Sequence, residues 1–306
     1  MTHLDLSTKP NLFLVGAPKC GTTSLYYHLG QHPDIFMSNP KEPHYFSTDL
    51  KWRFRGPPLN TEESYLELFE DANDYLIRGE ASVWYLYSKI AAQRIYEFNQ
   101  NAKIMIILRD PVEMVYSLFR FAVKNGSETI RSFRDALAAE PARRRGEQLP
   151  RSLLMKSLLL YRAAASYKNQ VDRYTAQFDR SQLKFILFDD LVAQPHHVCS
   201  DLFDFLDLKT DVRIDCTPQN ETTDLEIERI NWIRRRFPRQ FQFAGQFFTG
   251  LPRQIILGVF SAVCPKPITI TEPMPEDLRV ELRDYFRADV EQIAEILQRD
   301  LSHWGH

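Results

Sequence analysis

The stretch LVGAPKCGTTSL, at residues 14–25, decides the fold because it runs from an apolar strand through a turn into a helix. The phosphate-binding loop of nucleoside triphosphatases reads G-x-x-x-x-G-K-[ST], with its lysine directly after the second glycine. Here Thr22 follows the second glycine, Gly21, and the lysine of the loop is Lys19. The stretch therefore predicts a phosphate-binding turn whose lysine is displaced.

Backbone N–H groups converge where a strand, a glycine-containing turn and a helix start follow one another. The helix dipole adds partial positive charge at the same point, so phosphate or sulfate is the natural ligand. Gly16 and Gly21 let the backbone approach a ligand closely, and two threonines, Thr22 and Thr23, add hydroxyl donors. Lys19 adds a full positive charge. The alternative is a strand-to-helix turn that holds these residue types without any ligand.

The composition is that of an ordinary globular protein. Of the 306 residues, 44% are hydrophobic and 25% are charged, and the formal net charge of −2 gives no indication of nucleic-acid binding. The length allows one large α/β domain or two smaller ones. We expect a single domain over residues 1–306, with a mobile loop at 125–150 and a cap or insertion at 234–275.

The four cysteines form no C-x-x-C pair, and the polar N-terminus carries no secretory leader. A reduced, cytoplasmic location is therefore expected. The most apolar late stretch, residues 255–264, is too short to span a bilayer, so no transmembrane segment is predicted. The oligomeric state has no signal in the sequence.

Apolar runs and helical patterns follow one another along most of the chain. Because the runs do not alternate with polar residues, they indicate parallel strands covered on both faces. The succession of strands and helices then predicts an α/β fold with a central parallel sheet flanked by helices. The predicted strands are residues 12–15, 75–78, 103–108 and 183–188, and the predicted helices are 22–31, 62–70, 88–99, 111–124, 151–178 and 276–300.

A second motif, KIMIILRDPVEMVYSLF, covers residues 103–119. Asp110 is predicted to cap the helix after the strand, with proline at the first helical position and Glu113 completing a capping box. Arg109 lies at the carboxyl end of the strand, which is the ligand side of an open parallel sheet, and Ser117 lies about two turns into the helix. The alternatives are structural roles for both residues, or Asp110 as a magnesium ligand of an ATPase.

A third stretch, NPKEPHYFST at residues 39–48, carries Lys41, Glu42 and His44. Transfer of a group to a hydroxyl requires a residue that takes the proton from the attacking oxygen. Glu42 and His44 are both suitable residue types for this step. The alternative is a solvated turn with ordinary charges.

The segment G-A-P-K-C-G-T-T-S-L resembles the 5′-phosphosulfate loop of sulfotransferases that use 3′-phosphoadenosine 5′-phosphosulfate. The resemblance implies a P-loop NTPase-like, three-layer fold and a contact between Lys19 and the leaving phosphate of the donor. The R-D-P-x-x-x-x-x-S pattern also resembles this family, whose arginine and serine, here Arg109 and Ser117, bind the 3′-phosphate. The donor-binding residues implied by the first motif are Pro18, Lys19, Cys20, Gly21, Thr22, Thr23 and Ser24.

The third stretch is similar to the E-x-H-F-F segment of heparan-type glycan sulfotransferases. On this resemblance Glu42 is the catalytic base, and His44 orients it or binds the acceptor, with His44 also the alternative base. The stretch GEASVWYLY at residues 79–87 resembles an acceptor-contacting segment, which implies that Glu80 and Tyr85 bind the substrate. The alternative for Glu80 is a buried structural acid.

The family also places a basic loop over the adenine and the 3′-phosphate before its closing helix, and Lys266 is the match here. Together the resemblances imply a sulfotransferase that moves a sulfuryl group from 3′-phosphoadenosine 5′-phosphosulfate to an acceptor hydroxyl. The product is 3′,5′-adenosine bisphosphate, and the acceptor is a carbohydrate, a glycolipid or a small hydroxylated metabolite. Two alternatives stay open: an ATP- and magnesium-dependent kinase, disfavoured by Thr22, and a catalytically inactive nucleotide-binding protein.

Two further groups of residues have no place in these motifs. The arginine runs 143–145 and 234–236 are interpreted as solvated faces, with an anionic glycan or lipid headgroup as the alternative ligand. His196 and His197 are interpreted as surface residues without a companion cysteine or aspartate at ligand spacing. No metal is predicted, because sulfuryl transfer from this donor does not need one.

Overall fold

The computed structural model describes residues 9–52, 59, 61–217 and 269–305. Its centre is a single sheet of five strands, which are β1 (Leu12–Gly16), β2 (Ile35–Met37), β3 (Ile77–Ala81), β4 (Lys103–Leu108) and β5 (Leu183–Leu187). Their order across the sheet is β2-β3-β1-β4-β5, and every neighbouring pair is parallel. The prediction of a central parallel sheet is confirmed.

Helices flank the sheet and connect its strands. They are α1 (Thr22–Leu29), α2 (Glu62–Leu66), α3 (Ala91–Phe98), α4 (Pro111–Lys124), α5 (Phe133–Ala138), α6 (Glu140–Arg144), α7 (Tyr161–Ala165), α8 (Lys168–Thr175), α9 (Phe188–Ala193), α10 (Pro195–Phe205) and α11 (Glu276–Leu297). Short 3-10 helices cover Glu67–Ala72, Lys156–Leu159, Arg180–Gln182 and Ser302–Gly305. Across the described ranges, every helix is too short or too polar to pass through a bilayer.

The two central strands explain why the apolar runs lack polar alternation. Every residue of β1 is buried, and so is every residue of β4 after Lys103. Side chains on both faces of these strands are covered by protein, so both faces select apolar residues. The predicted strand boundaries at 103–108 match β4, and those at 12–15 differ from β1 by one residue.

The order of the strands places the candidate site. The chain adds β2 and β3 on one side of β1 before it continues to β4 and β5 on the other side. This reversal makes the carboxyl end of β1 the switch point of the sheet, where open α/β sheets bind their ligands. The glycine-containing turn leaves β1 at this point, and Arg109 follows the end of the neighbouring strand β4.

One long predicted helix, residues 151–178, is wrong. The structure divides this segment into a 3-10 helix, α7 and α8. The carboxylate of Asp289, on the distant helix α11, accepts hydrogen bonds from the backbone N–H groups of Tyr167 (2.8 Å) and Lys168 (3.0 Å). These bonds satisfy the N-terminal N–H groups of α8 and so favour a separate helix start there.

The segment 125–150, predicted as a mobile loop, contains α5 and α6 and both partners of a buried ion pair. The side chains of Arg143 and Glu128 are fully buried, with 2.7 Å between Nη1 and Oε2, and the hydroxyl of Tyr161 donates to Glu128 at 2.7 Å. The interpretation of this arginine run as a solvated face is wrong for Arg143 but holds for the two arginines that follow, which are exposed. The second arginine run and the segment 234–275 lie outside the described residues.

We expect Arg143→Gln to destabilise the fold by about 3–5 kcal/mol, because it leaves the Glu128 carboxylate buried without its charged partner. Arg145→Gln is the matched control from the same run. Its pair with Glu147 is at the surface, so its loss changes stability by about 1 kcal/mol or less. Urea denaturation measures both differences, and equal losses in the two variants would contradict the assignment of a buried pair.

Candidate active site

The β1–α1 loop, residues 16–21, contains two glycines that the surrounding protein requires. Gly16 has φ +145°, and a Cβ added to it would lie 2.6 Å from the carbonyl oxygen of Val83. Gly21 caps α1 with φ +82°, and an added Cβ would lie 3.0 Å from the ring of Phe188. The sequence interpretation assigned these glycines to the approach of a ligand. The structure shows that they also let the loop pack between the turn after β3 and helix α9.

Helix α1 begins at the end of this loop, with the positive end of its dipole at the switch point of the sheet. Gly21 has no side chain with which to cap the helix, and the first turn contains no acidic residue. Thr22 is buried, while Thr23 and Ser24 are half-buried at this helix end. The N-terminal N–H groups and the dipole are therefore available to an anionic ligand.

Arg109 lies directly beside the β1–α1 loop, as the two sequence motifs together predict. Its Nη1 donates to the carbonyl oxygen of Lys19 at 3.4 Å, and its Nη2 lies 3.8 Å from Oε2 of Glu113. The ammonium of Lys19 lies 4.6 Å from the ring centroid of Phe121, on α4. Two cationic side chains from separate motifs are thus brought to one end of the sheet.

Ser117 lies on the same face of α4 as Glu113 and Phe121, which contact Arg109 and Lys19. It is half-buried and lies four residues after Glu113 and four before Phe121. Residues four apart are adjacent on a helix surface, so Ser117 lies between the partner of Arg109 and the ring beside Lys19. Ser117 and Arg109 therefore lie on the same side of α4, and their shared role in binding the 3′-phosphate stays a prediction.

At the start of α4 the predicted N-cap is present, but the predicted capping box is not. Asp110 is the N-cap, and its carboxylate accepts from the backbone N–H of Val112 at 2.8 Å. The capping box with Glu113 is wrong, because the Glu113 carboxylate instead contacts Arg109 and the guanidinium of Arg279 from α11. The capping role of Asp110 leaves little support for its alternative as a magnesium ligand.

Cys20 contributes its backbone to the loop and keeps its thiol inside the protein. Its Sγ lies 3.4 Å from the carbonyl oxygen of Pro18, and the side chain is fully buried. Burial removes the solvation of the thiolate and raises the pKa of Cys20 to about 12, so the thiol is neutral. The neighbouring Tyr167 is also buried, and its hydroxyl donates to the carbonyl oxygen of Arg109 at 3.0 Å.

The 39–48 segment brings the candidate base to the β1–α1 loop through one lysine. Nζ of Lys41 donates to Oγ1 of Thr23 at 3.0 Å and lies 3.3 Å from Oε1 of Glu42. On the other side of the same carboxylate, Nε2 of His44 lies 3.2 Å from Oε2 of Glu42. The carboxylate therefore lies between an ammonium and an imidazole, and the ammonium also contacts the first turn of α1.

These neighbours decide the charge of Glu42. Partial burial opposes ionisation, but the hydrogen bond from His44 and the charge of Lys41 outweigh it and lower the pKa of Glu42 to about 2. The carboxylate is therefore ionised at neutral pH. The exposed fraction of its side chain is 34%, against 3% for His44, whose ring packs against Trp52 with 4.5 Å between centroids.

Glu80 and Tyr85, predicted to contact the acceptor, lie in the interior with no exposed surface. The carboxyl group of Glu80 accepts hydrogen bonds from the hydroxyls of Tyr65 (2.7 Å), Tyr85 (2.9 Å) and Ser82 (2.7 Å). Ser82 Oγ in turn accepts from the backbone N–H of His44 at 3.0 Å. Their burial favours the structural alternative: the two residues position the 39–48 segment.

The sequence motifs do not indicate two residues of this site, Lys41 and Arg279, and they assign a role to a third residue that lies outside the described residues. The sequence motifs assign no role to Lys41, although a lysine directly before the candidate base is a usable signal. Arg279 had no local signal, because it reaches Glu113 from the last long helix. Lys266, predicted to cover the donor, lies outside the described residues.

Comparisons with known proteins agree with this architecture. A family model described as a sulfotransferase domain matches residues 9–232. A solved sulfotransferase from Alicyclobacillus acidocaldarius is 33% identical, with a TM-score of 0.73 over 97% of this chain and 99% of that one. This likeness and the parallel sheet confirm the predicted P-loop NTPase-like α/β fold.

Curated relatives share a smaller part of their length. Human carbohydrate sulfotransferase 15 is 30% identical over a match that covers 41% of this chain and 29% of that protein. The bifunctional heparan sulfate N-deacetylase/N-sulfotransferase 1 of Caenorhabditis briggsae is 26% identical, covering 65% of this chain and 23% of that protein. The chain thus spans less than a third of these two relatives. The family match covers well over half of this chain, and the chain belongs to the sulfotransferase domain family.

Proposed function

We propose that the chain moves a sulfuryl group from 3′-phosphoadenosine 5′-phosphosulfate to an acceptor hydroxyl, leaving 3′,5′-adenosine bisphosphate. The observation that carries this proposal is the position of Lys41. Its ammonium contacts both Thr23 in the first turn of α1 and the carboxylate of Glu42. An anion-binding helix start and an ionised carboxylate, the two parts that sulfuryl transfer requires, therefore belong to one cluster.

The donor assignment rests on which charges surround the β1–α1 loop. The loop offers the N-terminal N–H groups of α1, the hydroxyls of Thr22 and Thr23 and the cationic side chains of Lys19 and Arg109. We assign the 5′-phosphosulfate to residues 18–24 and the 3′-phosphate to Arg109 and Ser117. Thr22 stands where a triphosphate loop carries its lysine, which disfavours the kinase alternative.

Glu42 is the base in this proposal, because its ionised carboxylate is partly exposed whereas His44 is almost fully buried. As the acceptor oxygen forms its bond to sulfur, Glu42 takes the hydroxyl proton and the bond between sulfur and the 5′-phosphate oxygen breaks. Lys19 and the α1 N-terminus stabilise the charge that develops on the leaving phosphate. No metal is assigned to this step, since these groups supply the positive charge.

Lys41 connects the occupancy of the anion site to the strength of the base. A carboxylate with a pKa of about 2 is a weak base while Lys41 and His44 hold it. An anion bound beside Thr23 attracts the same ammonium and so weakens its hold on Glu42. Binding of the donor would thereby raise the basicity of Glu42 when the acceptor is to be deprotonated.

The acceptor class is taken from the relatives. Their names specify a carbohydrate sulfotransferase and a heparan sulfate N-deacetylase/N-sulfotransferase, and Glu42 with His44 matches the glycan-type motif. We therefore propose a carbohydrate acceptor, with a glycolipid or a small hydroxylated metabolite as alternatives that an acceptor screen separates. A cytoplasmic location stays a prediction.

The donor assignment predicts which nucleotide stabilises the protein. 3′,5′-Adenosine bisphosphate should raise the thermal midpoint by mass action, whereas ADP, or ATP with Mg²⁺, should raise it much less. Lys19→Ala and Arg109→Ala should each reduce the shift. Lys103→Ala, at the amino end of β4 and thus at the opposite edge of the sheet, is the control that should keep it. A shift with ATP and Mg²⁺ alone would replace this proposal with the kinase.

The base assignment predicts a loss of turnover without a loss of donor binding. Glu42→Gln should lower kcat by roughly 10²–10⁴-fold, because the variant cannot accept the acceptor proton. The midpoint shift with 3′,5′-adenosine bisphosphate should persist. Glu97→Gln, at an exposed position of α3, is the matched control for the substitution. Turnover near wild type in Glu42→Gln, with a large loss in His44→Gln, would transfer the role to His44.

The low pKa of Glu42 predicts a specific acid dependence of stability. Because the folded-state pKa is lowered from 4.5 to about 2, the ionised group stabilises the fold fully above pH 4.5, and this contribution is lost as the pH falls through about 2. Wild type should therefore lose more stability across this window than Glu42→Gln does. Urea denaturation at stepped pH measures the difference, and identical pH profiles for the two proteins would contradict the lowered pKa.

A further inference from the structure

A second cluster of reactive side chains lies at the other end of α1, away from the β1–α1 loop. His28 near the end of α1, Cys199 on α10 and Cys216 beyond that helix are all buried. One ligand atom from each lies within 4.8 Å of the other two. A fourth side chain reaches the same place, since Nδ1 of His196 lies 3.4 Å from Sγ of Cys216.

The spacing on α10 makes two of these side chains neighbours. His196 and Cys199 are three residues apart, so they share one face of the helix. The sequence interpretation of His196 as lacking a companion cysteine is therefore wrong, although its exposure at the surface is as expected. The partners that complete the cluster come from distant parts of the chain, which the local spacing could not reveal.

An independent observation at His28 points to a ligand. Only 2% of this residue is exposed, and neither ring nitrogen makes a hydrogen bond of normal geometry among the described residues, although the backbone of Thr217 approaches the ring. Buried polar groups in folded proteins are nearly always paired, because an unpaired one loses its hydration without compensation. A buried imidazole beside two thiols is an arrangement typical of a metal-binding site.

The main chain around Cys216 is fixed by hydrogen bonds to the end of α1. Nε2 of Gln31 donates to the carbonyl oxygen of Asp215 at 3.0 Å, and the N–H of Asp215 donates to Oε1 of Gln31 at 2.7 Å. Nε2 of His32 lies 3.1 Å from the carbonyl oxygen of Lys209. These contacts hold Cys216 near His28 and Cys199 without help from the side chains of the cluster.

We propose that His28, Cys199 and Cys216 bind a Zn²⁺ ion, with His196 as the fourth ligand. Two thiolates and two imidazoles in a tetrahedron are a common ligand set for structural zinc. Bonds of about 2.0–2.3 Å to zinc place ligand atoms roughly 3.3–3.8 Å apart, so side-chain movements of about 1 Å close the site.

The ion would act on the fold and take no part in the chemistry. It would join the carboxyl end of α1 to α10 and to the chain that follows α10. Because the amino end of α1 forms the candidate anion site, the ion would hold in place the helix that binds the donor. The inference does not depend on the proposed function, since metal content is measured without donor or acceptor.

The test is the metal content of the full chain, purified with its affinity tag removed and with a reductant that does not chelate. We expect about one zinc ion per chain by inductively coupled plasma mass spectrometry. After removal of zinc, Co²⁺ titration should give a thiolate-to-cobalt charge-transfer band that saturates at one equivalent. Cys216→Ser should lower the intensity of this band to about half or less, because one of the two thiolates is lost, and His28→Gln should weaken cobalt binding. His197→Asn, the matched control from the same helix, should leave both unchanged.

Measurements on the wild-type protein are enough to refute the proposal, so the test does not depend on whether the variants fold. Absence of zinc from wild type together with no charge-transfer band on addition of Co²⁺ would refute the site. A Cys199–Cys216 disulfide that persists in protein purified with the reductant, found by peptide mass spectrometry, would replace the metal site with a redox pair. A cobalt band of unchanged intensity in folded Cys216→Ser would place the metal elsewhere.

Discussion

The geometry of the candidate site depends on one buried carboxyl group, that of Glu80. It lies on β3, directly opposite Phe13 of β1, and accepts hydrogen bonds from three hydroxyls. Two of these, on Ser82 and Tyr85, accept in turn from the backbone N–H groups of His44 and Phe46. The sheet thus fixes the main chain of the 39–48 segment, whose Glu42 and His44 adopt positive φ angles. Such angles are costly for residues other than glycine and persist only where neighbouring contacts hold them.

The electrostatics of the site follow from this fixed segment. Lys41 and His44 lie on opposite sides of the Glu42 carboxylate, and Lys41 also contacts Thr23 at the start of α1. Anion binding and base strength therefore share one ammonium. Glu42 and the start of α1 belong to separate stretches of the chain, and the hydrogen bond from Lys41 to Thr23 joins them at the carboxyl edge of the sheet.

Helix α1 connects the two ends of this arrangement. Its amino end offers N–H groups and hydroxyls beside Lys19 and Arg109, and its carboxyl end carries His28 toward the two cysteines. Arg279 on α11 contacts Glu113 beside Arg109, so the last long helix also adjoins the site. Later parts of the chain therefore contact both sides of the site: α10 lies near the carboxyl end of α1, and α11 contacts α4.

The sequence by itself determined what local physics controls. Apolar runs indicated the central strands, a proline after Asp110 marked the start of α4, and Gly21 followed by hydroxyl residues indicated the start of α1. It also singled out Lys19, Arg109 and Glu42 as candidate site residues, since their motifs are short and continuous. These assignments depend on neighbours along the chain, which the sequence displays.

Only the tertiary structure decided what depends on contacts between distant segments. The break between α7 and α8 requires Asp289, the burial of Arg143 requires Glu128, and the low pKa of Glu42 requires Lys41 and His44 at bonding distance. The inward position of Glu80 and the meeting of His28 with Cys199 were equally hidden. Burial and charge pairing are properties of the folded environment, and no local pattern of residues specifies which distant groups will supply it.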